Sequence, residues 1–278
     1  METEEKYTLC VDALQGFLFS TGFSDVVIGL SGGMDSSLVA VMCVDAFGAD
    51  HVHGALLPGP YSSEESLVDA LELADALGIA TQTISITAPF DAFACALAEA
   101  CGGSLEGLAA ENTQARCRMV CLMALSNTHG WMLINTSNKS EAMMGYSTLY
   151  GDTAGAFAPI GGLYKTDVYA LARWRNEKAR QQGESACIPE RVFVKPPSAE
   201  LSPDQEDEKS LGIDYKTLDA ILIATFEQGK AEKALVAAGY DSAEVRRIVT
   251  LARSFAYKRA LEPAYPQFAF YESDRFED

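Results

Sequence analysis

A short glycine-containing stretch combines residue types that suit phosphate binding. The run SGGMDS at 31–36 follows the apolar run VVIGL at 26–30 and precedes a helix-prone run that begins at Ser37. Two adjacent glycines let backbone amides approach an anion closely, and the positive end of a helix dipole favours negative charge there. The hydroxyls of Ser31 and Ser36 add hydrogen-bond donors. The stretch therefore predicts a loop that binds phosphate or pyrophosphate.

Two charged residues near predicted helix starts are candidates to act on a bound nucleotide. Asp35 follows the glycines, where a helix dipole stabilises a carboxylate in any protein; the functional alternative is a ligand of a magnesium ion that bridges phosphate oxygens. Lys165 begins a later predicted helix, which is an unfavourable place for a cation unless an anion lies nearby. The alternative for Lys165 is an ordinary surface lysine.

Predicted strands and helices alternate along the first half of the chain. Apolar or alternating runs predict strands at 26–30, 53–57, 81–86 and 131–135. Apolar positions at helical spacing predict helices at 5–21, 35–47, 62–77, 89–100 and 106–128. This alternation indicates an α/β fold with a doubly wound parallel sheet, in which the glycine loop lies at the carboxyl end of the first strand.

The second half of the chain is less regular. Residues 136–159 are rich in Gly, Ser, Thr and Asn, which predicts a long functional loop. Helices are predicted at 165–182, 214–228, 230–238 and 241–256. We expect a single domain over 1–278, with a helical C-terminal portion. Its expected parts are an N-terminal helix at 1–24, a parallel core at 25–182, a mobile loop at 183–210, and C-terminal helices with a tail at 211–278.

Composition argues against several classes of protein. The 278 residues carry a net charge of −18, which opposes general binding of nucleic acid. The longest apolar runs are too short to cross a bilayer, and the start METEE lacks a basic signal-peptide region. We therefore expect a cytoplasmic protein without a membrane partner. The seven cysteines form no Cys-x-x-Cys pair, so we expect reduced core thiols, and the three histidines show no metal-ligand spacing.

The glycine loop differs from two common nucleotide-binding motifs. No lysine follows its glycines, as the kinase-type P-loop requires, and the dinucleotide fingerprint G-x-G-x-x-G is absent. The remaining pattern, S-G-G-x-D-S, resembles the pyrophosphate loop (PP-loop) of the ATP pyrophosphatases. These enzymes have an adenine nucleotide alpha hydrolase-like fold and cleave ATP between the α and β phosphates to adenylate a carbonyl oxygen. The resemblance implies the same fold here.

Further segments, in the same order, resemble the NAD synthetase family. They are PGPYSS at 58–63, NTQARCR at 112–118, NTSNKSE at 135–141, GYSTLYGD at 145–152, KT at 165–166, KPPSAEL at 195–201 and YKR at 257–259. The resemblance implies ATP-dependent amidation of nicotinic acid adenine dinucleotide (deamido-NAD) to NAD. The implied reaction passes through an adenylated intermediate and releases AMP and pyrophosphate, with Mg²⁺ as cofactor and ATP as co-substrate.

The resemblance also implies roles for individual residues. The ATP contacts are Gly29, Leu30, Ser31, Gly32, Gly33, Met34, Asp35, Ser36, Thr136, Lys165 and Ser198. The magnesium ligands are Asp35 and Glu141, and the catalytic candidates are Asp35, Lys165 and Asp152. The deamido-NAD contacts are Arg116, Leu149, Ala156, Tyr257 and Lys258. Leu149 and Ala156 stand where many ammonia-dependent members carry Lys and Asp. The alternative for Arg116 and Glu141 is a solvated position on a helix.

The nitrogen donor follows from the length of the N-terminal segment. Residues 1–24 are too few for the nitrilase-like amidase of glutamine-dependent members, so we expect the stand-alone, ammonia-dependent form. A separate glutaminase partner is the alternative, because SNKSE at 137–141 and YGD at 150–152 look like the glutamine-dependent enzymes. The resemblance also implies a homodimer. The competing functions are another PP-loop enzyme, either GMP synthetase-like or tRNA-modifying, and a non-catalytic nucleotide-binding protein.

Overall fold

Four short strands form the parallel sheet that the alternating pattern predicts. The computed structural model describes residues 1–271. The strands are β1 (Val26–Gly29), β2 (Val52–Leu56), β3 (Ala80–Thr83) and β4 (Met132–Ile134), in the order β3-β2-β1-β4. All neighbours are parallel, and Val27 of β1 pairs with His53 on one side and Leu133 on the other. The carboxyl ends of β1 and β4 therefore lie side by side.

Helices connect and cover these strands. The first half of the chain contains α1 (Thr3–Thr21), α2 (Met34–Phe47), α3 (Glu64–Leu77), α4 (Thr87–Leu97) and α5 (Gly107–His129). The second half contains α6 (Lys139–Met144), α7 (Lys165–Gln181), α8 (Glu190–Val194), α9 (Asp207–Leu211), α10 (Tyr215–Leu222), α11 (Glu232–Ala237), α12 (Ser242–Ser254) and α13 (Ala256–Arg259). A π-helical turn, Ile223–Glu227, extends α10.

Alternate residues of the strands pack on opposite faces of the sheet. On one face Val26 and Ile28 pack into a core built mainly from α1, α2, α3 and α7. On the other face Val27 and Leu133 pack with residues of α5. Both faces are buried, as a doubly wound sheet requires. A third core joins α10 and α12 to Met143 and Met144 of α6, and it forms the helical C-terminal portion that the sequence predicts.

Three segments contain secondary structure that differs from the local predictions. The third strand ends at Thr83 rather than at 86, because the chain turns at Ile84–Ile86 into α4. The loop predicted over 136–159 contains α6, whose start is capped by Asn138 and whose end is the left-handed Gly145. The stretch 183–210 contains α8 and the start of α9. These helices have only five or six residues each, which is too short for a periodic pattern.

The cysteine prediction holds only in part. All seven cysteines are free thiols, and Cys10, Cys43 and Cys117 are buried. Cys95 is exposed because α4 buries none of its residues fully, and Cys101, which follows that helix, is exposed too. No helix within residues 1–271 is long and apolar enough to cross a bilayer. Part of the tail predicted at the C-terminus, 272–278, lies outside the described residues.

Candidate active site

The glycine loop lies at the carboxyl end of β1 and leads directly into α2. The amide of Leu30 donates to the carbonyl of Ala55 (2.9 Å), which extends the pairing of β1 with β2 by one step. Ser31 Oγ then accepts from the amide of Gly33 at 3.2 Å, and Ser36 Oγ donates to the carbonyl of Gly33 at 3.1 Å. The two serines thus hold the loop in shape as well as offering hydroxyls to a ligand.

Gly32 makes a close approach that other residues cannot make. Its φ is +76°, and a Cβ there would lie 2.1 Å from the carbonyl oxygen of Ser66 in α3. The left-handed conformation disfavours L side chains, and the oxygen belongs to a helix backbone that cannot yield. The loop therefore packs against α3 only because residue 32 is glycine.

Lys165 lies between two carboxylates beside this loop. Its ammonium donates to Asp35 Oδ2 and to Glu141 Oε1, the latter at 2.9 Å. The Lys165 side chain is 4% exposed. Asn138 Nδ2 donates to the other oxygen of Asp35 at 2.9 Å. The structure thus brings together the three charged residues that the sequence singles out, and it rejects the surface-lysine interpretation of Lys165.

Burial and charge set the protonation of this cluster. Burial disfavours the charged form of Lys165, but Asp35 and Glu141 outweigh it and raise the pKa of the ammonium. Burial raises the pKa of Glu141 to about 7, against the opposing effect of Lys165. Lys165 is therefore held as a cation, and its positive charge favours the ionised form of Glu141 against the effect of burial.

A buried aspartate outside the cavity positions the two helices that carry Lys165 and Glu141. Ser140 Oγ accepts from the amide of Lys165 at 2.8 Å and donates to Asp219 Oδ1 at 2.5 Å. Asp219 Oδ2 accepts from the amide of Thr166 at 2.8 Å, and the residue is 1% exposed. One carboxylate of α10 therefore fixes the start of α7, which carries Lys165, against α6, which carries Glu141.

A cavity of about 710 Å³ opens over the loop and the charged cluster. All sequence-predicted site residues line it except Ala156; the lining members are Gly29, Leu30, Ser31, Gly32, Gly33, Met34, Asp35, Ser36, Arg116, Thr136, Glu141, Leu149, Asp152, Lys165, Ser198, Tyr257 and Lys258. Ala156 instead donates its amide to Leu133 of β4 (2.9 Å). The structure therefore does not bring Ala156 to the cavity.

Two residues assigned by resemblance to deamido-NAD binding, Arg116 and Lys258, contact one segment, 145–152. Arg116 Nε donates to the carbonyl of Leu149 at 3.2 Å. Lys258 Nζ donates to the carbonyls of Gly145 and Ser147, both at 2.7 Å, and burial lowers the pKa of this ammonium. Tyr257 is 58% exposed at the mouth of the cavity. Arg116 and Lys258 thus lie beside the cavity, and neither forms a salt bridge with a carboxylate of residues 1–271.

Asp152 is open to solvent on one side, and the pKa of its carboxyl group is raised. Its Oδ1 accepts from the amide of Thr148 at 2.6 Å. The surrounding protein removes water from the carboxylate and raises its pKa to about 6, although the Thr148 amide, Lys258 and Arg116 oppose the shift. Part of the residue still faces the mouth of the cavity and is open to solvent.

We expect Asp152→Asn to stabilise the protein at pH 7.5 and to have a clearly smaller effect at pH 4.5. A carboxyl whose pKa is higher in the folded protein than in the unfolded chain makes folding less favourable as pH rises through about 6. Asparagine stays neutral and keeps an oxygen for the Thr148 amide. Because solvent reaches Asp152, the gain in unfolding free energy should be only about 1 kcal/mol. Urea denaturation at both pH values measures it, and an equal gain at both would contradict the cause.

The segment 195–201 is tied to the start of α3 by Glu200. The Glu200 carboxylate accepts from the amide of Ser63 (3.0 Å), from Ser66 Oγ (2.6 Å) and from Lys195 Nζ (3.2 Å). Burial alone would raise the pKa of Glu200, but these donors outweigh it and lower the pKa. Ser198 Oγ accepts from the Glu200 amide at 3.1 Å. One carboxylate therefore holds this segment against the helix that also contacts Gly32.

Glu200→Gln should loosen this segment without unfolding the core. The amide has one acceptor oxygen in place of two and loses the charge that Lys195 and the helix start favour. We expect backbone amides of 198–206 to exchange with deuterium about three to ten times faster. Glu65→Gln, an exposed change in the first turn of α3, is the matched control and should leave this exchange unchanged.

The structure adds two charged residues that sequence reasoning did not assign. Asp207 is 4% exposed and lines the cavity, and its Oδ1 has no hydrogen-bond partner within residues 1–271. Arg118 Nε donates to the carbonyl of Leu57 at 3.0 Å, and burial lowers the pKa of its guanidinium. Asp207 lies in the stretch predicted as a mobile loop, so no local pattern pointed to it. Arg118 lies two residues after Arg116 in the same segment.

Sequence comparison identifies a family and longer relatives. The family model described as NAD synthase matches residues 7–262. The chain is 44% identical over 256 residues to the glutamine-dependent NAD(+) synthetase of Thermotoga maritima, which covers 92% of this chain and 44% of that protein. The chain spans about half the length of the curated relatives it matches.

Solved structures confirm the predicted fold class. The NH3-dependent NAD synthetase from Campylobacter jejuni has a TM-score of 0.70 at 30% identity, and the match covers 94% of this chain and 96% of that one. The NMN synthetase from Francisella tularensis has a TM-score of 0.77 at 28% identity, with 93% and 96% covered. The parallel α/β arrangement is therefore shared with enzymes of both names.

Proposed function

The chain belongs to the NAD synthase family, and from this we propose that it catalyses the ATP-dependent amidation of deamido-NAD to NAD. One observation carries the proposal. Lys165, Asp35 and Glu141, which are far apart in sequence, meet beside a glycine loop in one large cavity. A protein that only binds nucleotide has no need to bury an ammonium between two carboxylates, since such a cluster costs desolvation energy.

In the proposed reaction the chain mainly positions two substrates. The nicotinate carboxylate attacks the α-phosphorus of ATP, and the bond to the pyrophosphate oxygen breaks. The amides and hydroxyls of the loop 31–36, the start of α2 and the Lys165 ammonium bind the departing pyrophosphate. Ammonia then attacks the adenylated carbonyl carbon, AMP leaves with one former carboxylate oxygen, and the added nitrogen loses a proton. No side chain needs to act as a nucleophile.

Asp35 and Glu141 fit the magnesium ion that the family implies. Their oxygens are hard ligands, and the pair already binds one positive charge, the Lys165 ammonium. When bound, the ion would neutralise charge on the ATP phosphates. Thr136, Ser198 and the loop residues line the same cavity and are proposed ATP contacts.

We propose that Arg116, Leu149, Tyr257 and Lys258 contact the deamido-NAD. Arg116 and Lys258 donate to segment 145–152, which contains Leu149, and Tyr257 lines the same cavity. The two cations suit a dinucleotide phosphate or the nicotinate carboxylate. Asp152, a second-tier catalytic candidate, lies in the same segment.

We further propose one synthetase domain over 1–278, with 183–210 moving as substrates bind. A homodimer is also proposed, and the exposed apolar residues at the cavity mouth, Leu108 (70%) and Tyr257 (58%), support it.

The nitrogen donor and the nucleotide substrate each have a stated alternative. Ammonia is the proposed attacking nucleophile, whether it comes from free ammonium or from a glutaminase. The relative from Thermotoga maritima is named glutamine-dependent, and the structural neighbour from Campylobacter jejuni is named NH3-dependent. One structural neighbour is named NMN synthetase. Nicotinic acid mononucleotide is therefore the alternative substrate to test beside deamido-NAD.

One assay tests this function and both alternatives. The purified chain is incubated with MgATP, deamido-NAD and either ammonium or glutamine, and a parallel set contains nicotinic acid mononucleotide. We expect NAD and AMP in equal amounts with deamido-NAD and ammonium. Activity with glutamine alone would reject the free-ammonia preference. Faster turnover of nicotinic acid mononucleotide would make it the substrate in place of deamido-NAD. ATP binding without AMP release in every arm would favour a non-catalytic protein.

A further inference from the structure

Lys165 holds one oxygen of each carboxylate that is proposed to bind the metal. Its ammonium binds Asp35 Oδ2 and Glu141 Oε1, and the remaining Asp35 oxygen accepts from Asn138 at 2.9 Å. A metal ion that binds these same two oxygens must therefore displace the ammonium from them. Lys165 and the metal compete for one site.

The charge around Lys165 makes its departure costly unless another cation replaces it. Asp35, Glu141 and Asp207 line the same cavity, and the Asp207 Oδ1 lacks a partner within residues 1–271. One ammonium contacts two of these three carboxyl groups. Removing it would leave buried like charges unpaired, and the ammonium itself would need a new anionic partner.

The protein alone offers too few metal ligands to offset the free energy of displacing the Lys165 ammonium. Within residues 1–271 no three His, Cys, Asp or Glu side chains converge in a metal-binding arrangement. Magnesium demands about six oxygens, and sites with one or two carboxylates take the others from water and substrate phosphates. A nucleotide would supply those phosphate oxygens to the metal.

The same phosphates would give Lys165 its new partner. Asp35 belongs to the loop that is proposed to bind them, so they would lie next to the oxygen that the ammonium now contacts. The amide of Lys165 is held by Ser140 Oγ at 2.8 Å, and a lysine ammonium on its four-carbon stem can exchange a carboxylate for a phosphate by a change of side-chain conformation alone.

We propose that Lys165 acts as a resident cation that exchanges with the metal, so that the site accepts a metal–nucleotide complex and rejects the free metal. This inference rests on the proposed function for the identity of the nucleotide. The two binding events are then coupled, and by linkage each ligand strengthens the other.

The test measures binding of Mn²⁺ to the protein without nucleotide, by electron paramagnetic resonance at pH 8. Wild type is compared with Lys165→Met, Lys165→Arg and the matched control Lys139→Met. Lys139 is also ion-paired, to Glu227 at 2.7 Å, but does not line the cavity. We expect Lys165→Met to bind Mn²⁺ at least about tenfold more tightly than the other three proteins, a difference of about 1.4 kcal/mol. Equal affinity in wild type and Lys165→Met would overturn the proposal.

Two additions keep the test decisive. If Lys165→Met does not fold, Lys165→Gln replaces it, because its amide keeps a hydrogen-bond donor without the charge. Binding of α,β-methylene-ATP with Mg²⁺ should weaken at least about tenfold in the neutral variant, since the phosphates lose the ammonium; unchanged binding would contradict its transfer to phosphate. Neither measurement uses NAD formation. Failure of the NAD assay with tighter Mn²⁺ binding would reject the function alone, and the reverse result would reject the exchange alone.

Discussion

Asp35→Asn should lower kcat for NAD formation by about a thousandfold while the protein remains folded. Asparagine has nearly the same shape and can still accept from Asn138, but it removes the charge that Lys165 and the proposed metal both bind. The loss corresponds to about 4 kcal/mol of transition-state stabilisation, which is typical of a lost electrostatic contact at the reacting phosphate. Steady-state kinetics at saturating substrates measures the change, and circular dichroism checks the fold.

Asp45→Asn is the matched control for this effect. Asp45 lies in the same helix, α2, and its oxygens accept from Arg175 at 2.7 and 2.8 Å, away from the cavity. This variant should lose less than about twofold in kcat, although its stability should fall. A comparable loss of activity in both variants would mean that any loss of charge in α2 is harmful. It would contradict a specific electrostatic role of Asp35 in the reaction.

Gly32→Ala should reduce kcat/KM for ATP by at least about a hundredfold. The added Cβ would lie 2.1 Å from the Ser66 carbonyl oxygen, and the residue has a φ of +76°. The loop must therefore move away from α3 and lose the arrangement of amides that would bind pyrophosphate. We expect the unfolding free energy to fall by about 1–3 kcal/mol, because of the left-handed conformation and the clash.

Gly33→Ala separates this mechanism from a general need for glycine in the loop. Gly33 has a φ of −94°, and a Cβ there meets only Ser31 Oγ, at 3.3 Å. A serine side chain can shift by a few tenths of an ångström, whereas the α3 backbone cannot. We expect less than about tenfold loss for this variant. Equal losses at both positions would show that the contact with α3 does not shape the site.

Local pattern predicted the sheet and the loop because both are local features. The apolar runs gave strand positions within a few residues, and the two glycines after β1 required a turn at its carboxyl end. The Asn138-x-x-Glu141 spacing is also a helix-start signal, and it could have revealed α6 inside the predicted loop. Its six residues were overlooked because they fill less than two helical turns.

The charged cluster was not predictable from spacing. Lys165 and Asp35 are 130 residues apart, and only resemblance to a family placed them in one site. Asp219 and Asp207 had no such support and were missed. Asp219 did carry a weak signal, since it lies next to Leu218 on the apolar face of α10, where an acid needs buried partners. Those partners, Ser140 and Thr166, belong to other helices that sequence alone could not bring near.

The central claim is that the nicotinate carboxylate is adenylated, and oxygen transfer tests it most directly. Deamido-NAD labelled with oxygen-18 in both carboxylate oxygens is converted with MgATP and ammonium, and the products are analysed by mass spectrometry. The account predicts one labelled oxygen in AMP, one in the carboxamide of NAD and none in pyrophosphate. Unlabelled AMP, or label in pyrophosphate or orthophosphate, would contradict attack of the carboxylate on the α-phosphorus.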